Sequence, residues 1–564
     1  MAESVLRRSC DTYNMEESYR YETIADRIMF WGETDPDTPA FIFWSPNGRY
    51  VLSRGGVFEL ASRFALRLTH QGVQPGDVVC VCIPNSPERV VVDFGVQLAG
   101  AVSMNGQILR SDCQDIIESM RKAKCKVLVI DPDETNQAWE MIRNHIHLVS
   151  EDPHMPTATS VGVPTLTNIA FCKTRKPDSV FIETLPQRTG RTTNKPIQNP
   201  TDVAYIFATS GTTGYSKLVQ HTNKSLMLMS YRLTEATGLK DKHSKNLSIA
   251  PFGWIGGFPA CYLFSGCPIV LIDDAAEAVA DRLQYIWDVA CKEDVTVCTL
   301  APFQFMGILG RKDIWESSGK KLPMILTGGQ PLHKEYLQTI GKLADCIFGL
   351  YASTEIGYAA GIAVSASNLG CYKDNMAGFL APGVEAKIVD SKLASVGKET
   401  RGEILIRTET ITSGYIEAPS KQTAILPEGW FRTDDVGYMD NEGCLIVEGR
   451  CSDAIMHGSY IIYPTWLEQK LAKCPGIKQN CFVPIPDKVL HHEICACVQL
   501  EEGVRLTKDD VINFVRGDIV DGVRSDMSVV PKYVLFFDTF PVTKTFKLDR
   551  KELARSAQLR LQLE

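Results

Sequence analysis

Residues 209–217 have the composition of a loop that binds a polyphosphate. They read Thr209-Ser210-Gly211-Thr212-Thr213-Gly214-Tyr215-Ser216-Lys217. Glycines let the backbone turn its N–H groups toward an anion, hydroxyls donate further hydrogen bonds, and a lysine adds a positive charge. Two residues separate Gly214 from Lys217, so the pattern differs from the Walker motif, in which lysine directly follows the second glycine. For this stretch alone the alternative is a surface turn rich in serine, threonine and glycine.

Four further segments carry groups that ATP chemistry needs. Residues 349–355 place an aromatic ring, a hydroxyl and a carboxylate close together, which suits a nucleobase and Mg²⁺ but also a strand end with a buried tyrosine. Residues 328–332 form a backbone-rich turn. Residues 429–438 offer carboxylates for ribose hydroxyls, although such turns often have no ligand. Residues 541–550 place a lysine in a polar turn, and a solvated charged tail is the alternative.

The overall composition limits the class of protein. The chain has 564 residues, of which 44% are hydrophobic, enough for two or more domains. A net charge of −8 without a long basic run disfavours nucleic acid as a partner. The 18 cysteines are scattered, and those at 80, 82, 495 and 497 lie in apolar runs typical of buried free thiols. Residues 491–493, His-His-Glu, are typical of a solvated loop rather than a metal site.

Targeting signals are weak. Residues 1–20 mix arginines with acidic residues and have no apolar core, which disfavours a mitochondrial presequence without excluding it. We find no secretory signal, no apolar stretch of about 18 residues that would span a membrane, and no C-terminus of the Ser-Lys-Leu type. We therefore expect a cytoplasmic protein without a transmembrane segment.

The pattern of apolar runs predicts an α/β fold with largely parallel sheets. Such runs alternate with helical patterns, and ligands in such sheets bind at the carboxyl ends of the strands. Residues 173–201 are polar and predict an exposed linker, residues 378–447 predict short strands with tight turns, and the part after Arg450 predicts a small domain. The predicted strands are residues 78–83, 125–130, 203–208, 247–250, 268–272, 296–300 and 324–327, and residues 88–100 are the predicted helix.

Taken in order, these segments resemble the adenylate-forming superfamily, which includes acyl-CoA synthetases, beetle-type luciferases and peptide-synthetase adenylation domains. The similarity runs from about Phe41 to Lys551 and includes residues 72–77 and 83–88. Residues 209–217 match T-S-G-T-T-G-x-P-K, residues 351–355 match Y-G-x-T-E, residues 433–435 match T-G-D, residues 449–453 match the hinge motif, and residues 541–550 match P-x-T-x-x-G-K-x-x-R. The departures are Ser216 for Pro, and Ala352, Asp434 and Phe546 each for Gly.

The resemblance implies a large N-terminal domain, residues 1–449, of packed α/β subdomains plus a β-rich subdomain. A small mobile C-terminal α+β lid, residues 450–564, follows it. The implied reaction activates a small-molecule carboxylic acid with ATP and Mg²⁺ and then transfers the acyl group to coenzyme A. The residues implied as catalytic are Lys547, Thr354, Glu355 and Lys217, with Glu355 as the metal ligand. Those implied to bind the nucleotide are Thr209, Ser210, Gly211, Thr212, Thr213, Gly214, Gly329, Gln330, Pro331, Tyr351, Asp435 and Arg450.

The acid pocket departs most from the family pattern. Trp254 stands where the common residue is histidine, and it is either a flat pocket wall or plain core packing. The residues implied to line the pocket are Trp254, Gly256, Phe258, Phe303, Gly328, Gly349, Ala352 and Ser353. Room beside Trp254 at Gly256 and Gly257 favours a medium-length or aromatic acid. An α-amino acid is disfavoured because the aspartate that anchors its ammonium is absent.

The second half-reaction depends on residues that also depart from the family. Ser452 occupies the hinge position, where Asp or Lys is usual, and Ser459 stands near the thiol tunnel where a glycine is expected, with Gly458 one residue earlier. Three functions therefore stay open. The first is an acyl-CoA synthetase, the second is a luciferase-like monooxygenase that oxidises its adenylate with O₂, and the third is a non-catalytic nucleotide-binding relative.

Overall fold

The computed structural model describes residues 22–106, 108, 112–133, 138–174, 198–209, 217–240, 242–273, 279–330, 332, 334–417, 424–457, 460–462, 464–487, 490–516, 529–543 and 548–561. The chain divides into two compact units. The first is Met1–Glu385 with Ile406–Phe431, and the second is Ala386–Leu405 with Arg432–Glu564. Most of the predicted linker, residues 175–197, lies outside the described residues. The domain boundary between residues 449 and 450 stays a prediction.

The first unit is an α/β structure, as predicted. Its strands are β1 (Pro39–Ser45), β2 (Gly48–Ser53), β3 (Val78–Cys82), β4 (Val102–Asn105), β5 (Cys125–Ile130), β6 (His147–Leu148), β7 (Ala158–Thr159), β8 (Asn168–Phe171), β9 (Val203–Thr209), β10 (Lys217–Thr222), β11 (Asn246–Ser248), β12 (Ile269–Ile272), β13 (Val297–Thr299), β14 (Leu322–Gly328), β15 (Ala344–Ser353), β16 (Gly357–Val364) and β17 (Met376–Leu380). The predicted strands before residue 330 are confirmed within two residues at each end.

Helices alternate with these strands along the first unit. They are α1 (Ile24–Thr34), α2 (Arg54–His70), α3 (Pro87–Leu98), α4 (Gln114–Lys122), α5 (Ala138–Ile142), α6 (Asn223–Thr237), α7 (Ala260–Ser265), α8 (Arg282–Glu293), α9 (Pro302–Gly310), α10 (Lys312–Ser318), α11 (Lys334–Leu337) and α12 (Ile340–Leu343). The predicted helix is α3, which begins where the Ser86 side chain accepts a hydrogen bond from the Arg89 amide and Pro87 fixes the first turn.

The described part of the first unit contains two large sheets and a two-stranded sheet of β6 and β7. One large sheet has the strand order β10-β9-β4-β3-β5-β8, in which β10 is antiparallel to β9 and the rest are parallel. The other large sheet contains the order β17-β16-β15-β14-β13-β11-β12-β1-β2, in which β15, β14, β13, β11, β12 and β1 are parallel neighbours. Because neighbouring parallel strands end at one edge, the segments after β11, β13, β14 and β15 meet there.

A cluster of buried rings fixes the segment that follows β11. Phe41, Phe94, Phe252 and Tyr262 are each at most 2% exposed, and the rings of Phe41 and Tyr262 lie 4.9 Å apart. Phe252 lies 6.2 Å from Phe41 and 6.4 Å from Phe94. Buried aromatic pairs at these distances add about 0.5–1.5 kcal/mol each beyond the area they bury. The loop after β11 is therefore attached to the core of the unit at Phe252.

The second unit is smaller and richer in strands. Its elements are β18 (Val384–Val389), β19 (Gly402–Thr408), β20 (Phe431–Met439), β21 (Leu445–Arg450), β22 (Ile455–His457), β23 (Tyr460–Ile462), α13 (Pro464–Leu471), β24 (Ile477–Asp487), β25 (His491–Leu500), α14 (Lys508–Phe514), β26 (Tyr533–Phe536) and α15 (Arg550–Arg560). The short strands predicted within residues 378–447 are confirmed. Strands β18 to β21 are neighbours in that order, and β23-β22-β25-β24 with β26 beside β25 form a further sheet.

The fold tests three of the sequence predictions, which concern the cysteines, membrane-spanning helices and residues 491–493. Cys80, Cys82, Cys495 and Cys497 are buried free thiols, as predicted. Among the described residues, no helix combines the length and the apolar character that crossing a bilayer requires. The prediction of a solvated loop at residues 491–493 is wrong, because β25 begins at His491 and pairs with β24 along its length.

Candidate functional site

The predicted phosphate loop connects the two strands of a hairpin. Strand β9 ends at Thr209, strand β10 begins at Lys217, and these two residues are register partners. The Thr209 hydroxyl lies 3.4 Å from the Lys217 carbonyl oxygen. The residues between them, including Ser210, Gly211, Thr212, Thr213 and Gly214, lie outside the described residues. The hairpin therefore fixes both ends of the loop and places Lys217 at its base.

Glu355 follows β15 and is held by a residue that the sequence did not single out. The Tyr415 hydroxyl donates a hydrogen bond to Oε1 of Glu355 at 2.8 Å. Within the described ranges, no hydrogen bond to Oε2 of Glu355 is observed. The ammonium of Lys217 lies 5.1 Å from the centroid of the Tyr415 ring. Lys217 and Glu355 thus contact the same side chain from two different elements.

The segment around Tyr415 is attached to both of these elements. The Thr412 amide donates to the Glu355 carbonyl at 2.7 Å, and the Ile416 amide donates to the Leu218 carbonyl at 3.0 Å. Tyr415 also forms an isolated β-bridge with Val219 on β10. Backbone hydrogen bonds therefore fix the position of Tyr415 between the phosphate hairpin and the turn that carries Glu355.

The buried side chain of His221 forms a hydrogen bond with the turn that carries Glu355. Nε2 of His221 lies 2.6 Å from the carbonyl oxygen of Thr354, and His221 is 1% exposed. Burial lowers the pKa of His221, so the ring is neutral near pH 7. A carbonyl only accepts hydrogen bonds, so Nε2 carries the proton. His221 on β10 therefore fixes the backbone directly before Glu355.

These residues fit MgATP. Mg²⁺ prefers hard oxygen ligands and is usually held by one or two carboxylates together with substrate phosphates. In the part of the chain that the structure describes, no group of three or more His, Cys, Asp or Glu side chains could hold a metal ion alone. Glu355, partly exposed and with only one oxygen occupied by a phenol, has the chemistry of a single protein ligand.

The predicted adenine site lies at the ends of two neighbouring strands. Gly328 at the end of β14 pairs in register with Leu350 on β15, next to Tyr351. A Cβ atom at Gly328 would lie 2.6 Å from the Leu350 carbonyl oxygen, so a larger residue would separate the strands. Gly329 has φ +85°, which glycine adopts readily, and Gln330 follows it. Pro331 lies outside the described residues.

The loop that carries Trp254 is held by Asn85, which lies in the segment between β3 and α3. The side chain of Asn85 accepts a hydrogen bond from the Phe252 amide at 2.7 Å and donates one to the Ala250 carbonyl at 3.1 Å. Trp254 itself is partly exposed, and its amide donates to the Pro251 carbonyl at 2.9 Å. The partial exposure of Trp254 is compatible with a pocket wall.

The two glycines after Trp254 differ. A Cβ atom at Gly257 would lie 2.0 Å from the Pro251 carbonyl oxygen, whereas one at Gly256 would meet nothing within 4 Å. Phe258 is 5% exposed and packs edge-on against Tyr205 at 5.3 Å. Gly257 is therefore needed for close backbone packing, and the free space in this loop lies at Gly256.

The remaining predicted pocket residues lie on, or shortly after, the neighbouring parallel strands β13, β14 and β15. Phe303 lies in the first turn of α9, which follows β13, Gly328 ends β14, and Gly349, Ala352 and Ser353 lie on β15. Phe303 is 50% exposed. The Ser353 hydroxyl is buried and has no hydrogen-bond partner among the described residues, so a polar atom of a ligand would satisfy it.

In the second unit, the predicted ribose ligands form a pair. Asp435 on β20 and Arg450 on β21 are register partners, and Nε of Arg450 lies 3.2 Å from Oδ1 of Asp435. Asp434, which replaces the glycine of the family motif, has φ +62°. This left-handed conformation favours glycine, and aspartate is one of the few other residues that adopt it. Asp434 therefore adopts a backbone conformation that a glycine at this position would also adopt readily.

Ser452, the predicted hinge residue, is exposed within the 3₁₀ turn Cys451–Asp453 that follows β21. Next to it, the Asp453 carboxylate lies 3.5 Å from the Arg550 guanidinium. Lys547, Gly458 and Ser459 lie outside the described residues. The roles of Ser452 and Lys547 stay predictions.

Sequence reasoning missed Tyr415, His221 and Asn85 as contributors to the site. Tyr415 is 60 residues from Glu355, and His221 is 133 residues from Thr354, so no short motif contains either pair. Asn85 lies in a segment that matched the family, but its partners are 165 and 167 residues away. Only Asn85 lies within a recognised segment, and no local signal in the sequence marks Tyr415 or His221.

Comparison with known proteins bears on the whole chain. Residues 30–416 match the model of the family of AMP-binding enzymes, and residues 467–547 match the model of the AMP-binding enzyme C-terminal domain. The chain is 25% identical over 536 residues to a long-chain-fatty-acid–CoA ligase of Bacillus subtilis, covering 92% of this chain and 91% of that protein. It is also 25% identical over 508 residues to 4-coumarate–CoA ligase 2 of Nicotiana tabacum, covering 88% of each.

Solved structures with the same fold cover nearly the whole chain. ATP-bound MatB from Rhodopseudomonas palustris superposes with a TM-score of 0.78 at 18% identity, covering 96% of this chain and 99% of that one. The anthranilate CoA ligase AuaEII in complex with anthranoyl-AMP superposes with a TM-score of 0.77 at 19% identity, covering 99% of this chain and 100% of that one. At such identities the likeness establishes the fold.

Proposed function

The chain belongs to the family of AMP-binding enzymes, and on this premise we propose that it is an ATP- and Mg²⁺-dependent acid–thiol ligase of the acyl-CoA synthetase type. A carboxylate oxygen of the acid bonds to the α-phosphorus of ATP, the bond from that phosphorus to pyrophosphate breaks, and an acyl-adenylate results. The thiolate of coenzyme A then bonds to the acyl carbon, and AMP leaves. The names of the relatives, which are CoA ligases, support the choice of thiol.

The observation that supports this proposal most is that Lys217 and Glu355 both contact Tyr415, Lys217 through the ring and Glu355 through the hydroxyl. Two anions have to approach each other in the first half-reaction, so the main catalytic need is positive charge in a fixed position. Lys217 supplies one such charge at the base of the phosphate loop. Glu355 would hold Mg²⁺, which neutralises charge on the phosphates when it is bound.

The other residues have positional roles in this proposal. Thr209 and the loop through Gly214 would bind the leaving phosphates, and Thr354 would donate a hydrogen bond to a phosphate oxygen. Tyr351 with Gly328, Gly329, Gln330 and Pro331 would hold adenine, and Asp435 with Arg450 would hold the ribose. Lys547 would contact the acid carboxylate and the α-phosphate. Loss of one donor to charge that develops in the transition state costs about 10²–10³ in rate.

We propose a medium-length or aromatic acid as the substrate. Trp254 offers a flat, partly exposed surface, and Gly256 leaves space beside it. Replacing Gly256 with Leu would fill this space without a backbone clash. We expect Gly256→Leu to lower kcat/KM for medium-length or aromatic acids at least tenfold while it changes that for acetate less than threefold. An equal loss for all acids would contradict this placement of the pocket.

The proposed reaction is tested with a panel of short, medium, long and aromatic acids. Pyrophosphate, AMP and thioester are measured with and without coenzyme A, and light emission is recorded. We expect acid-dependent pyrophosphate release with every productive acid and a thioester only with coenzyme A. Light and an oxidised acid without coenzyme A would replace the ligase proposal with a luciferase-like one. No acid-dependent pyrophosphate release across the panel would favour a non-catalytic nucleotide binder.

A further inference from the structure

We infer that Tyr415 is a positioning residue that holds both charged groups of the phosphate site, Lys217 and Glu355, in place for MgATP. This inference rests on the proposed function, since it assigns the two charged groups to the phosphates and the metal. Tyr415 lies outside the recognised motifs. Its hydroxyl contacts Glu355 and its ring contacts Lys217, so removing the hydroxyl alone and removing the whole ring should have different effects on nucleotide binding.

The phenol hydroxyl acts on Glu355. It donates to Oε1 at 2.8 Å, and a hydrogen bond to a carboxylate is among the stronger ones in proteins. The bond limits rotation of the carboxylate, while no described group donates a hydrogen bond to Oε2. A glutamate held in this way presents one oxygen to a cation without first losing conformational freedom.

The aromatic ring acts on Lys217. The ammonium lies 5.1 Å from the ring centroid, within the distance at which the negative face of a ring attracts a cation. Lys217 is the first residue of β10, directly after the phosphate loop. The ring therefore holds the ammonium beside the loop before a polyphosphate binds, so less side-chain entropy is lost on binding.

The backbone around Tyr415 is suited to this role. Its neighbours Thr412 and Ile416 donate to carbonyls of Glu355 and Leu218, so the segment is bonded to both elements that carry the charged groups. A tyrosine whose backbone is fixed on two sides can position two partners accurately. The hydroxyl and the ring serve different partners, so they can be removed separately.

The test measures nucleotide binding by isothermal titration calorimetry, without acid, for MgATP and for ATP in excess EDTA. Tyr415→Phe keeps the ring and removes the hydroxyl. We expect its affinity for MgATP to fall about fivefold to tenfold, as for the loss of one such hydrogen bond, while its affinity for free ATP changes less than twofold. Tyr415→Leu also removes the ring, and we expect both affinities to fall.

Two further variants separate a specific role from a general one. Tyr231→Phe, which removes the hydroxyl of a tyrosine that packs against Phe264 at 5.2 Å, should bind both forms of ATP like the wild type. In the background Glu355→Gln, the change Tyr415→Phe should have no further effect on MgATP, because the hydroxyl acts through the carboxylate. The thermal unfolding midpoint of each variant shows whether it is folded.

The inference is overturned if folded Tyr415→Phe binds MgATP like the wild type. It is also overturned if this variant loses affinity for free ATP and for MgATP equally, because the effect would then not pass through Glu355. Tyr415→Phe decides the part of the inference that concerns Glu355, and a folded Tyr415→Leu that binds free ATP like the wild type would overturn the part that concerns Lys217. If the wild-type protein binds neither form of ATP, the proposed function fails, and this outcome is distinct from wild-type binding with an unaffected Tyr415→Phe.

Discussion

Two glutamates of the first unit, Glu293 and Glu355, have opposite surroundings. Glu293 at the end of α8 is 4% exposed and accepts hydrogen bonds from Trp44, Arg49 and Lys245 at 2.6–3.3 Å. Glu355 is partly exposed, and from the described part of the chain it accepts one side-chain hydrogen bond, from Tyr415 at 2.8 Å. Both carboxylates are held by hydrogen bonds, but among the described residues only Glu355 keeps an oxygen without a donor.

The difference shows how the same residue type serves structure in one place and chemistry in another. The donors to Glu293 come from β1, β2 and the residue before β11, so this carboxylate links separate strands of one sheet. Burial opposes the ionisation of Glu293, but these three donors outweigh it, and its pKa lies below its usual value. A carboxylate with all its hydrogen-bonding capacity used stabilises the fold, and one with capacity left can bind a metal ion.

The largest effect should come from replacing Glu355. Glu355→Gln keeps the size of the side chain and removes its charge, so we expect acid-dependent pyrophosphate release to fall about 10²–10³-fold. The thermal unfolding midpoint should stay within a degree or two of the wild type, since the amide oxygen of glutamine can still accept the hydrogen bond from Tyr415. A full rate with this variant would remove Glu355 from the proposed mechanism.

The next largest effect should come from replacing His221, which forms a hydrogen bond with the Thr354 carbonyl directly before Glu355. His221→Ala leaves the Thr354 carbonyl without its donor, and we expect kcat/KM for MgATP to fall about tenfold, equivalent to about 1.4 kcal/mol. His221→Gln, which can still donate an N–H, should recover part of this loss. If His221→Ala and His221→Gln had the same kcat/KM, the hydrogen bond to Thr354 would not be the reason for the histidine.

For Glu293 we expect little change in rate and a clear loss of stability, the opposite of what we expect for Glu355. Glu293→Gln should leave the rate of pyrophosphate release within about twofold of the wild type, whereas its thermal unfolding midpoint should drop by several degrees. Hydrogen bonds to charged groups contribute about 1.5–3 kcal/mol each, and the neutral amide weakens several of them. A strong loss of rate without a loss of stability would show that the two glutamates are not separated as described.

The stability effect of Glu293→Gln should depend on pH. The unfolded-state pKa of glutamate is about 4.3, and that of folded Glu293 is lower. A lowered folded-state pKa contributes stability above the unfolded value, and this contribution is lost as pH falls through the folded value. The gap between the midpoints of the wild type and Glu293→Gln should therefore be constant from pH 7 to about pH 5 and narrow below about pH 4.

The smallest effect should follow from removing one partly exposed partner of Glu293. The Lys245 side chain is 30% exposed and its ammonium lies 3.1 Å from the carboxylate, so water that reaches the ammonium partly screens this ion pair. Lys245→Met should cost no more than about 1 kcal/mol of unfolding free energy, and urea denaturation of the two proteins side by side measures it. A loss as large as that of Glu293→Gln would show that the screening argument is wrong for this ion pair.

Most of the fold could be predicted from sequence because apolar runs and turn residues are local signals. Strands such as Cys125–Ile130 and the helix Pro87–Leu98 are predicted by their own residues. Residues 491–493 were predicted wrongly because polar side chains suggested a loop, whereas pairing with β24 places them in β25. Tertiary pairing of this kind overrides local preference.

The site could be predicted only as far as its motifs are contiguous. Glu355 and Lys217 each lie within a short recognised pattern, and the structure brings them together at Tyr415. Tyr415 and His221 act through hydrogen bonds to residues distant in sequence, and the chain gives no local signal for such a pairing. Asp434 illustrates the reverse case: it departs from the motif in sequence, but its φ of +62° is a conformation that favours the glycine of the motif.

The central claim, attack of a carboxylate oxygen on the α-phosphorus, is tested most directly by isotope transfer. A productive acid labelled with ¹⁸O in both carboxylate oxygens is converted in the presence of ATP and coenzyme A, and the AMP formed is analysed by mass spectrometry. We predict one ¹⁸O atom in each AMP and none in pyrophosphate, because the labelled oxygen that joins the phosphorus stays with it when the thiol displaces AMP. Unlabelled AMP, or label in pyrophosphate, would contradict the account.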